Sequence, residues 1–306
     1  MRQINFNVRY AGFAMALAGI TFSLNSYAQQ TSKIKPLVTS YEAVMVTPPP
    51  QSLKADTFYK KFADAGGIPV LSSAKVSDAA VLIARDIINY MVMKRPDVRQ
   101  QMLKSKAELA IMAYTEMQTD LPGYRDWKKP EKNDQRLTPN ERENYDKPGG
   151  IASMTDKQYW DNRARGMGGN ETSCAEENLL GIPGTKYFGE NIMVHEWSHN
   201  IMVALQQCDP QLIKELEVAY QAAKTKGLYK GQYAINTIHE YWAEGTQWWF
   251  WSNYEFYDGN TRVQSPDDLK AYDPALYNIL SKVYIGHHIP ADVYYGKNLS
   301  NSKILK

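Results

Sequence analysis

The sequence predicts an α+β fold in which a mixed α/β part precedes a mainly helical part, with a cleft between them. In the first part, the apolar runs at 68–71 and 107–113 are typical of buried strands, whereas 78–94 carries apolar residues at helical spacing. In the second part, 191–205 carries an apolar stripe of helical period. The 306-residue chain is long enough to bury one large core or two modest ones.

Three further segments complete the predicted N-terminal part. Residues 55–65 predict a short helix that ends at Gly66-Gly67, and 97–106 predicts a second short helix. Residues 117–150 differ from their surroundings, because 14 of these 34 residues are charged and four are prolines. We interpret this stretch as a solvated insertion, and a segment that borders a substrate cleft is the alternative.

The first 28 residues carry the pattern of a cleaved secretory signal. Arg2 and Arg9 supply positive charge, 11–24 is apolar, and 26–28 places small residues where a signal peptidase reads the chain. An apolar run of 14 residues is short for a bilayer span, although an uncleaved anchor remains the alternative. We therefore expect a secreted or periplasmic protein with no stable membrane insertion after cleavage.

Residues 29–54, which include three consecutive prolines, predict an irregular leader, and 55–306 predicts one folded domain. The whole chain has 35 Lys and Arg against 33 Asp and Glu, and the signal removes Arg2 and Arg9, leaving 33 against 33. A neutral mature chain gives no electrostatic reason to expect nucleic acid as a partner. The sequence does not indicate an oligomeric state.

Two of the five histidines in the chain are four residues apart, in His195-Glu196-Trp197-Ser198-His199. Residues i and i+4 share one helix face, so both imidazoles can reach one tetrahedral ion, and Glu196 lies beside them. This H-E-x-x-H pattern predicts zinc and hydrolysis by a metal-activated water, most often of a peptide bond. The alternative is a packed helix without metal, which explains the apolar residues but leaves two histidines and a glutamate without partners.

A catalytic zinc of this class needs a third protein ligand, and Glu240 and Glu244 are the candidates because they share one helical face. One of them can bind the metal while the other orients His195 or His199 through its second ring nitrogen. Thr237 to Glu240 also forms a capping-box pattern, and under that reading Glu244 would be the ligand. The residue types leave both assignments open.

The spacing of these residues resembles the catalytic half of the anthrax lethal factor-like zinc metallopeptidases, a gluzincin family. The resemblance covers 185–251 most strongly and consists of the H-E-x-x-H pattern, then Tyr233, then Glu240 and Glu244 within a Glu-aromatic-aromatic-Ala-Glu sequence. It implies a zincin-like fold in which Glu240 is the third ligand and Glu244 orients a ligand. It also implies that the Tyr233 hydroxyl stabilises the oxyanion, a contribution typically worth a few kcal/mol.

Other features bear on the surroundings of this site. In a zincin, the segment at 161–180 would supply an edge strand that pairs with the substrate backbone. The alternative for Arg163 and Arg165, which lie in this segment, is that they are ordinary surface charges. The aromatic residues of 241–257 favour core packing over a carbohydrate platform. Cys174 and Cys208 flank the 191–205 helix, and a disulfide between them or two free thiols are both open.

The sequence therefore predicts a secreted zinc-dependent metalloendopeptidase with a protein or peptide substrate. His195, His199 and Glu240 bind zinc, Glu196 acts as general base, Tyr233 supports the transition state and Glu244 orients a ligand. Two alternatives remain. One is an exported zinc-stabilised binding protein without catalysis, and the other is a hydrolase of cell-wall peptide cross-links that uses the same mechanism.

Overall fold

The computed structural model describes residues 46–134 and 137–297. It confirms the predicted α+β class, with one small mixed sheet in the N-terminal half and a mostly helical C-terminal half. The predicted signal at 1–28 and most of the predicted leader lie outside the described residues. Within the leader, Thr47 pairs with Phe62 of the sheet through two backbone hydrogen bonds.

The main sheet has four strands in the order β1-β2-β3-β4. Its strands are β1 Lys61–Asp64, β2 Pro69–Ser72, β3 Glu108–Met112 and β4 Glu171–Ala175. β1 and β2 are antiparallel, whereas β2, β3 and β4 are mutually parallel. The three parallel strands are almost continuously buried, as expected for strands covered on both faces. The strands predicted at 68–71 and 107–113 are confirmed.

The helix predicted at 55–65 is wrong, because this segment contains β1. Gly66 and Gly67 both have positive φ, 67° and 91°, and form a two-residue turn closed by a hydrogen bond from Ala65 N–H to Ile68 O. Two consecutive left-handed residues are typical of a tight hairpin between twisted strands. The glycine pair therefore marks a hairpin here, although the same residues also fit a helix end.

Helices cover the sheet and connect its parallel strands. The helices that follow β2 and precede residue 191 are α1 Asp78–Met91, α2 Pro96–Lys104, α3 Pro139–Glu143, α4 Asp156–Arg163 and α5 Glu176–Leu179. Ser77 caps α1 by accepting the Ala80 N–H, and Pro96 supplies the first residue of α2, where its missing N–H costs nothing. The helices predicted at 78–94 and 97–106 are thus confirmed, with small shifts at their ends.

The C-terminal half is built around one long helix, α6. Its helices are α6 Ile192–Cys208, α7 Pro210–Lys226, α8 Ile238–Trp249, α9 Pro266–Tyr272 and α10 Pro274–Val283. A small hairpin, β5 Phe256–Asp258 and β6 Thr261–Val263, follows α8. α6 packs against β4, α2, α7 and α8, so it joins the two halves through one core. No helix of the described ranges is both long and apolar enough to cross a membrane.

Aromatic side chains fill the core between α8 and its neighbours. Trp242, Trp248, Trp249 and Phe250 are each at most 4% exposed. This burial confirms the prediction of core packing for these four residues, whereas Tyr257, which the same prediction included, is 60% exposed. Cys174 is buried in β4 and Cys208 ends α6, and both are free thiols, so the disulfide alternative is wrong.

The segment at 117–150 is more ordered than a solvated loop. It contains short 3₁₀ turns at Gln118–Asp120 and Pro122–Tyr124 and the helix α3. A separate small apolar cluster holds it together, formed by Leu137, Tyr145, Ile151, Tyr159 and Trp160. The high charge of the segment lies on its outside, and a minority of apolar side chains anchors it.

A buried carboxylate fixes α8 to the C-terminal helices. Asp273 caps α10 by accepting the Leu276 N–H, and its second oxygen accepts the hydroxyls of Tyr241, at 2.7 Å, and Tyr229, at 3.2 Å. Tyr241 lies on α8 and both tyrosines are fully buried. This one side chain therefore satisfies three donors that would otherwise be buried without a partner.

Replacing Asp273 by Ala is expected to lower the free energy of unfolding by about 3 kcal/mol, from the lost helix cap and two unpaired buried hydroxyls. Urea denaturation followed by circular dichroism measures the change. The control is Asp267→Ala, because Asp267 is an exposed residue in the first turn of α9. An Asp273→Ala protein as stable as the control would contradict the assigned role.

Candidate active site

α6 begins where two asparagines satisfy its free amides. Asn191 is the N-cap and its side chain accepts the Val194 N–H at 3.1 Å, while Asn178 accepts the Ile192 N–H at 2.9 Å. A capped first turn fixes the helix direction and places the next residues on a defined face. His195, which follows one turn later, is therefore held on a rigid part of the helix.

The structure brings the three residues of the H-E-x-x-H pattern together. The rings of His195 and His199 lie 5.0 Å apart, centroid to centroid. One potential ligand atom from each of His195, Glu196 and His199 lies within 4.8 Å of the other two. His195 is only 7% exposed, and Glu196 and His199 are half-buried at the edge of a cleft.

Glu240 of α8 completes this group. Its Oε2 atom is 3.1 Å from His195 Nε2 and 3.7 Å from His199 Nε2. Two ligand atoms bound about 2.0–2.1 Å from one tetrahedral zinc are roughly 3.4 Å apart. The two histidines and Glu240 therefore fit a zinc ion as three ligands of a mixed nitrogen and oxygen set.

The two candidate glutamates have different neighbours. Thr237 caps α8 by accepting the Glu240 N–H at 3.2 Å, but the Glu240 carboxylate faces the histidines. Glu244 lies on the other side of His195, with Oε1 3.5 Å from Nδ1, and its Oε2 accepts a hydrogen bond from Asn253 at 2.8 Å. The structure thus places Glu240 on the Nε2 side and Glu244 on the Nδ1 side.

Gln247 also contacts His195, a contact that the sequence pattern did not predict. Its Oε1 atom lies 3.0 Å from His195 Nδ1, closer than any atom of Glu244. Positions 240, 244 and 247 follow the i, i+4, i+7 spacing of one helix face, which is the signal that could have revealed it. The sequence did not single out Gln247, because an amide side chain is not titratable and is a less conspicuous candidate than a carboxylate.

Tyr233 lies in a 3₁₀ turn, Tyr233–Ile235, just before α8. Its ring centroid lies 6.5 Å from that of His195, with an angle of 30° between the two ring planes. Burial and the nearby Glu240 charge raise the pKa of the hydroxyl far above its usual range, so the hydroxyl stays protonated at neutral pH. The side chain is still 46% exposed and borders the cleft, which leaves it a donor within reach of a ligand.

The carboxylates of the site differ in protonation. Burial raises the pKa of Glu196 to about 7, with His195 acting in the opposite direction. Burial also acts to raise the pKa of Glu240, but its hydrogen bond and charge interaction with His195 lower it to about 2. At neutral pH, Glu240 is therefore an anion, whereas Glu196 is poised to accept or give a proton.

A glycine-containing strip runs along one side of the histidines. Met167 pairs antiparallel with Ser173 of β4, so the strip at 166–169 lies beside the sheet edge. A Cβ added to Gly168 would lie 2.6 Å from His199 Cβ, so the backbone of the strip lies directly against the His199 ring. β4 is thus the edge strand of the four-stranded sheet, as predicted for 161–180, and the strip at 166–169 lies along its outer side.

Arg165, at the start of this strip, is not a surface charge. It is buried and forms a bidentate ion pair with Glu177 at 2.6 and 2.8 Å. Arg163 is partly exposed, pairs with Glu141 of α3 and borders the cleft. The surface-charge interpretation is therefore wrong for Arg165, whose charge anchors the strip to α5.

The site lies in a cleft of about 1290 Å³. One side carries residues of the 117–150 segment, among them Leu137, Thr138 and Glu141. Residues after α8, such as Tyr254 and Phe256, also line the cleft. The preferred interpretation of 117–150 as a solvated insertion is therefore wrong, because the segment borders the cleft.

No protein-family model matches the chain, and no curated protein matches it. Among solved structures, the chain is similar to a Pro-Pro endopeptidase from Paenibacillus alvei, with a TM-score of 0.42 and 13% sequence identity. The match covers 70% of this chain and 97% of that protein. A likeness at this level is distant, so the contacts of the site itself support the function proposed below.

A buried aspartate adjoins the start of α6. Asp292 accepts hydrogen bonds from Asn191 Nδ2 at 3.3 Å and from the Tyr294 N–H at 2.9 Å, both on Oδ1, while its Oδ2 is buried without a partner. Burial raises its pKa from 3.8 to about 6. The folded state therefore binds this proton more tightly than the unfolded state does.

Stability is expected to fall as pH rises from about 4 to about 6, because the folded protein must then ionise a buried carboxyl. The loss from Asp292 should be roughly 2 kcal/mol. Urea denaturation across this pH window compares the wild type with Asp292→Asn, whose profile should lack this slope. Parallel profiles for the two proteins would show that Asp292 titrates normally.

Proposed function

We propose that the protein is a zinc-dependent metallopeptidase that hydrolyses peptide bonds. The convergence of His195, His199 and Glu240 carries this proposal, since one Glu240 oxygen lies 3.1 and 3.7 Å from the two Nε2 atoms. Glu196 lies in the same group, and an open cleft leads to it. When bound, zinc supplies a Lewis acid that polarises the substrate carbonyl and lowers the pKa of water.

Glu196 is proposed to be the general base. Its carboxylate lies in one group with both histidines and borders the cleft, so it is within reach of a water bound there. Glu196 takes a proton from the attacking water and then delivers it to the leaving amine.

Tyr233 is proposed to stabilise the oxyanion that forms at the substrate carbonyl. Its hydroxyl is protonated, borders the cleft and is held close to Glu240. A donor already in place when charge develops avoids the cost of reorganising water. The spacing of these residues also supports the finer proposal that the chain is a gluzincin of the anthrax lethal factor-like type.

Export is part of the proposal and rests on the sequence pattern of the first 28 residues. A protein or peptide is the proposed substrate. A cell-wall cross-link would use the same residues, so a library that contains such peptides distinguishes the two substrates. A zinc-stabilised binding protein would instead use Glu196 as a fourth ligand.

Glu196→Gln is expected to retain zinc and to lose activity by roughly 100-fold or more, because the amide cannot accept the proton. Zinc content by atomic absorption and turnover of a peptide library with and without a chelator measure both effects. Undiminished turnover would overturn the mechanism. Loss of zinc from this variant would instead favour the four-ligand binding protein.

The zinc content of two variants also distinguishes Glu240 from Glu244 as the third zinc ligand. Glu240→Ala is expected to lose most of its zinc at micromolar protein concentration, because a zinc ligand is removed. Glu244→Ala is the matched control, one helical turn away, and should keep its zinc. Loss of zinc in the Glu244 variant alone would assign that residue as the ligand.

A further inference from the structure

We propose that Gln247, rather than Glu244, is the residue that orients His195 and fixes its tautomer for metal binding. This inference rests on the proposed zinc site. A metal-bound imidazole normally donates its other ring N–H to an acceptor, which sets the ring plane and leaves one nitrogen free for the metal.

The contacts around His195 Nδ1 favour the amide. Gln247 Oε1 lies 3.0 Å from Nδ1, a normal hydrogen-bond length, whereas Glu244 Oε1 lies 3.5 Å away. Gln247 is fully buried, so no solvent competes for this contact. Glu244 is engaged elsewhere, because its other oxygen accepts the Asn253 amide at 2.8 Å.

The contacts of the Gln247 amide nitrogen determine which atom of the amide faces His195. Its Nε2 lies 3.0 Å from the Asn191 carbonyl oxygen and 3.4 Å from Glu190 Oε2. The Asn191 carbonyl oxygen can only accept a hydrogen bond. The NH₂ group must therefore point to Asn191, which leaves the amide oxygen facing His195 Nδ1.

An amide oxygen can only accept, so Nδ1 must carry the proton. In the neutral, metal-binding form of the ring, Nε2 is then the nitrogen with a free lone pair, and it is the atom that lies 3.1 Å from Glu240. Gln247 thus links the start of α6 to the ring four residues later on the same helix. It acts as a positioning residue and does not itself bind the metal.

The test compares three methionine variants of similar side-chain volume. Gln247→Met removes the acceptor and is expected to weaken zinc binding 10- to 100-fold, about the usual effect of losing such a partner. Glu244→Met should change the affinity by less than about threefold, because Glu244 makes no short contact with His195. Gln118→Met is the control for loss of a buried amide, since Gln118 is fully buried and bonds to Ser173 away from the cleft.

Competition with a chromophoric chelator measures the zinc dissociation constant. Thermal unfolding of the zinc-free proteins measures stability separately. We expect Gln118→Met and Gln247→Met both to lose stability, and only the latter to lose affinity. Wild-type affinity in Gln247→Met, or a larger loss in Glu244→Met, would overturn the assignment.

A second variant keeps the inference testable even where Gln247→Met does not fold. Gln247→Glu keeps an acceptor for Nδ1–H, so zinc affinity should stay within about threefold of the wild type. A carboxylate is the stronger acceptor, so the His195 Nδ1–H proton resonance of the zinc-loaded protein should move downfield. An unmoved resonance would show that Gln247 does not accept this proton.

Failure of this inference can be told apart from failure of the proposed function. A wild-type protein that binds no zinc in the chelator assay would refute the function itself. A wild type that binds zinc and hydrolyses peptides, together with an unaffected Gln247→Met variant, would refute only the role of Gln247.

Discussion

The candidate site depends on the packing of α6 against α8. The two histidines lie on α6 and Glu240 on α8, so the distance between their ligand atoms is set by how the helices dock. The Trp242 indole N–H donates to the Ser198 carbonyl at 2.9 Å and fixes this docking one turn from the ligands. Trp242 and Trp197 are among the largest fully buried side chains, so the register is also enforced by shape.

The same packing concentrates negative charge. Glu190, Glu196, Glu240 and Glu244 all border one end of the cleft, and burial raises the pKa of Glu190 to about 8. Carboxylates that lie close together in surroundings of low polarity favour either a bound cation or protonation. A divalent cation between the histidines and Glu240 would neutralise part of this excess, which agrees with the chemistry of the ligands.

Residue pattern alone predicted the parts of the site that lie on one helix. The periodicity of 191–205 and the H-E-x-x-H spacing placed His195, Glu196 and His199 together, because helix geometry is local. Glu240 and Glu244 could not be separated by local rules, since which carboxylate faces the histidines is decided by the docking of α8. Gln247 was missed for a different reason, because an amide is a less conspicuous candidate than a carboxylate.

The errors in the fold have a similar origin. β1 was read as a helix because its glycine pair fits both a helix end and a hairpin, and pairing with β2 and Thr47 decided the outcome. The 117–150 segment was read as solvated because its charges outnumber the apolar residues that anchor it. Leu137 and Tyr145 pack on Tyr159 and Trp160 of α4, and no local pattern links them.

The hydrogen bond between Asn191 and Asp292 joins residues that are 101 positions apart, and His195 meets Glu240 across 45. During synthesis, α6 is therefore complete well before the ribosome has produced the groups that finish the site. A chain synthesised only as far as the end of α6 carries the two histidines without Glu240, so the chemistry proposed here requires synthesis to have passed α8.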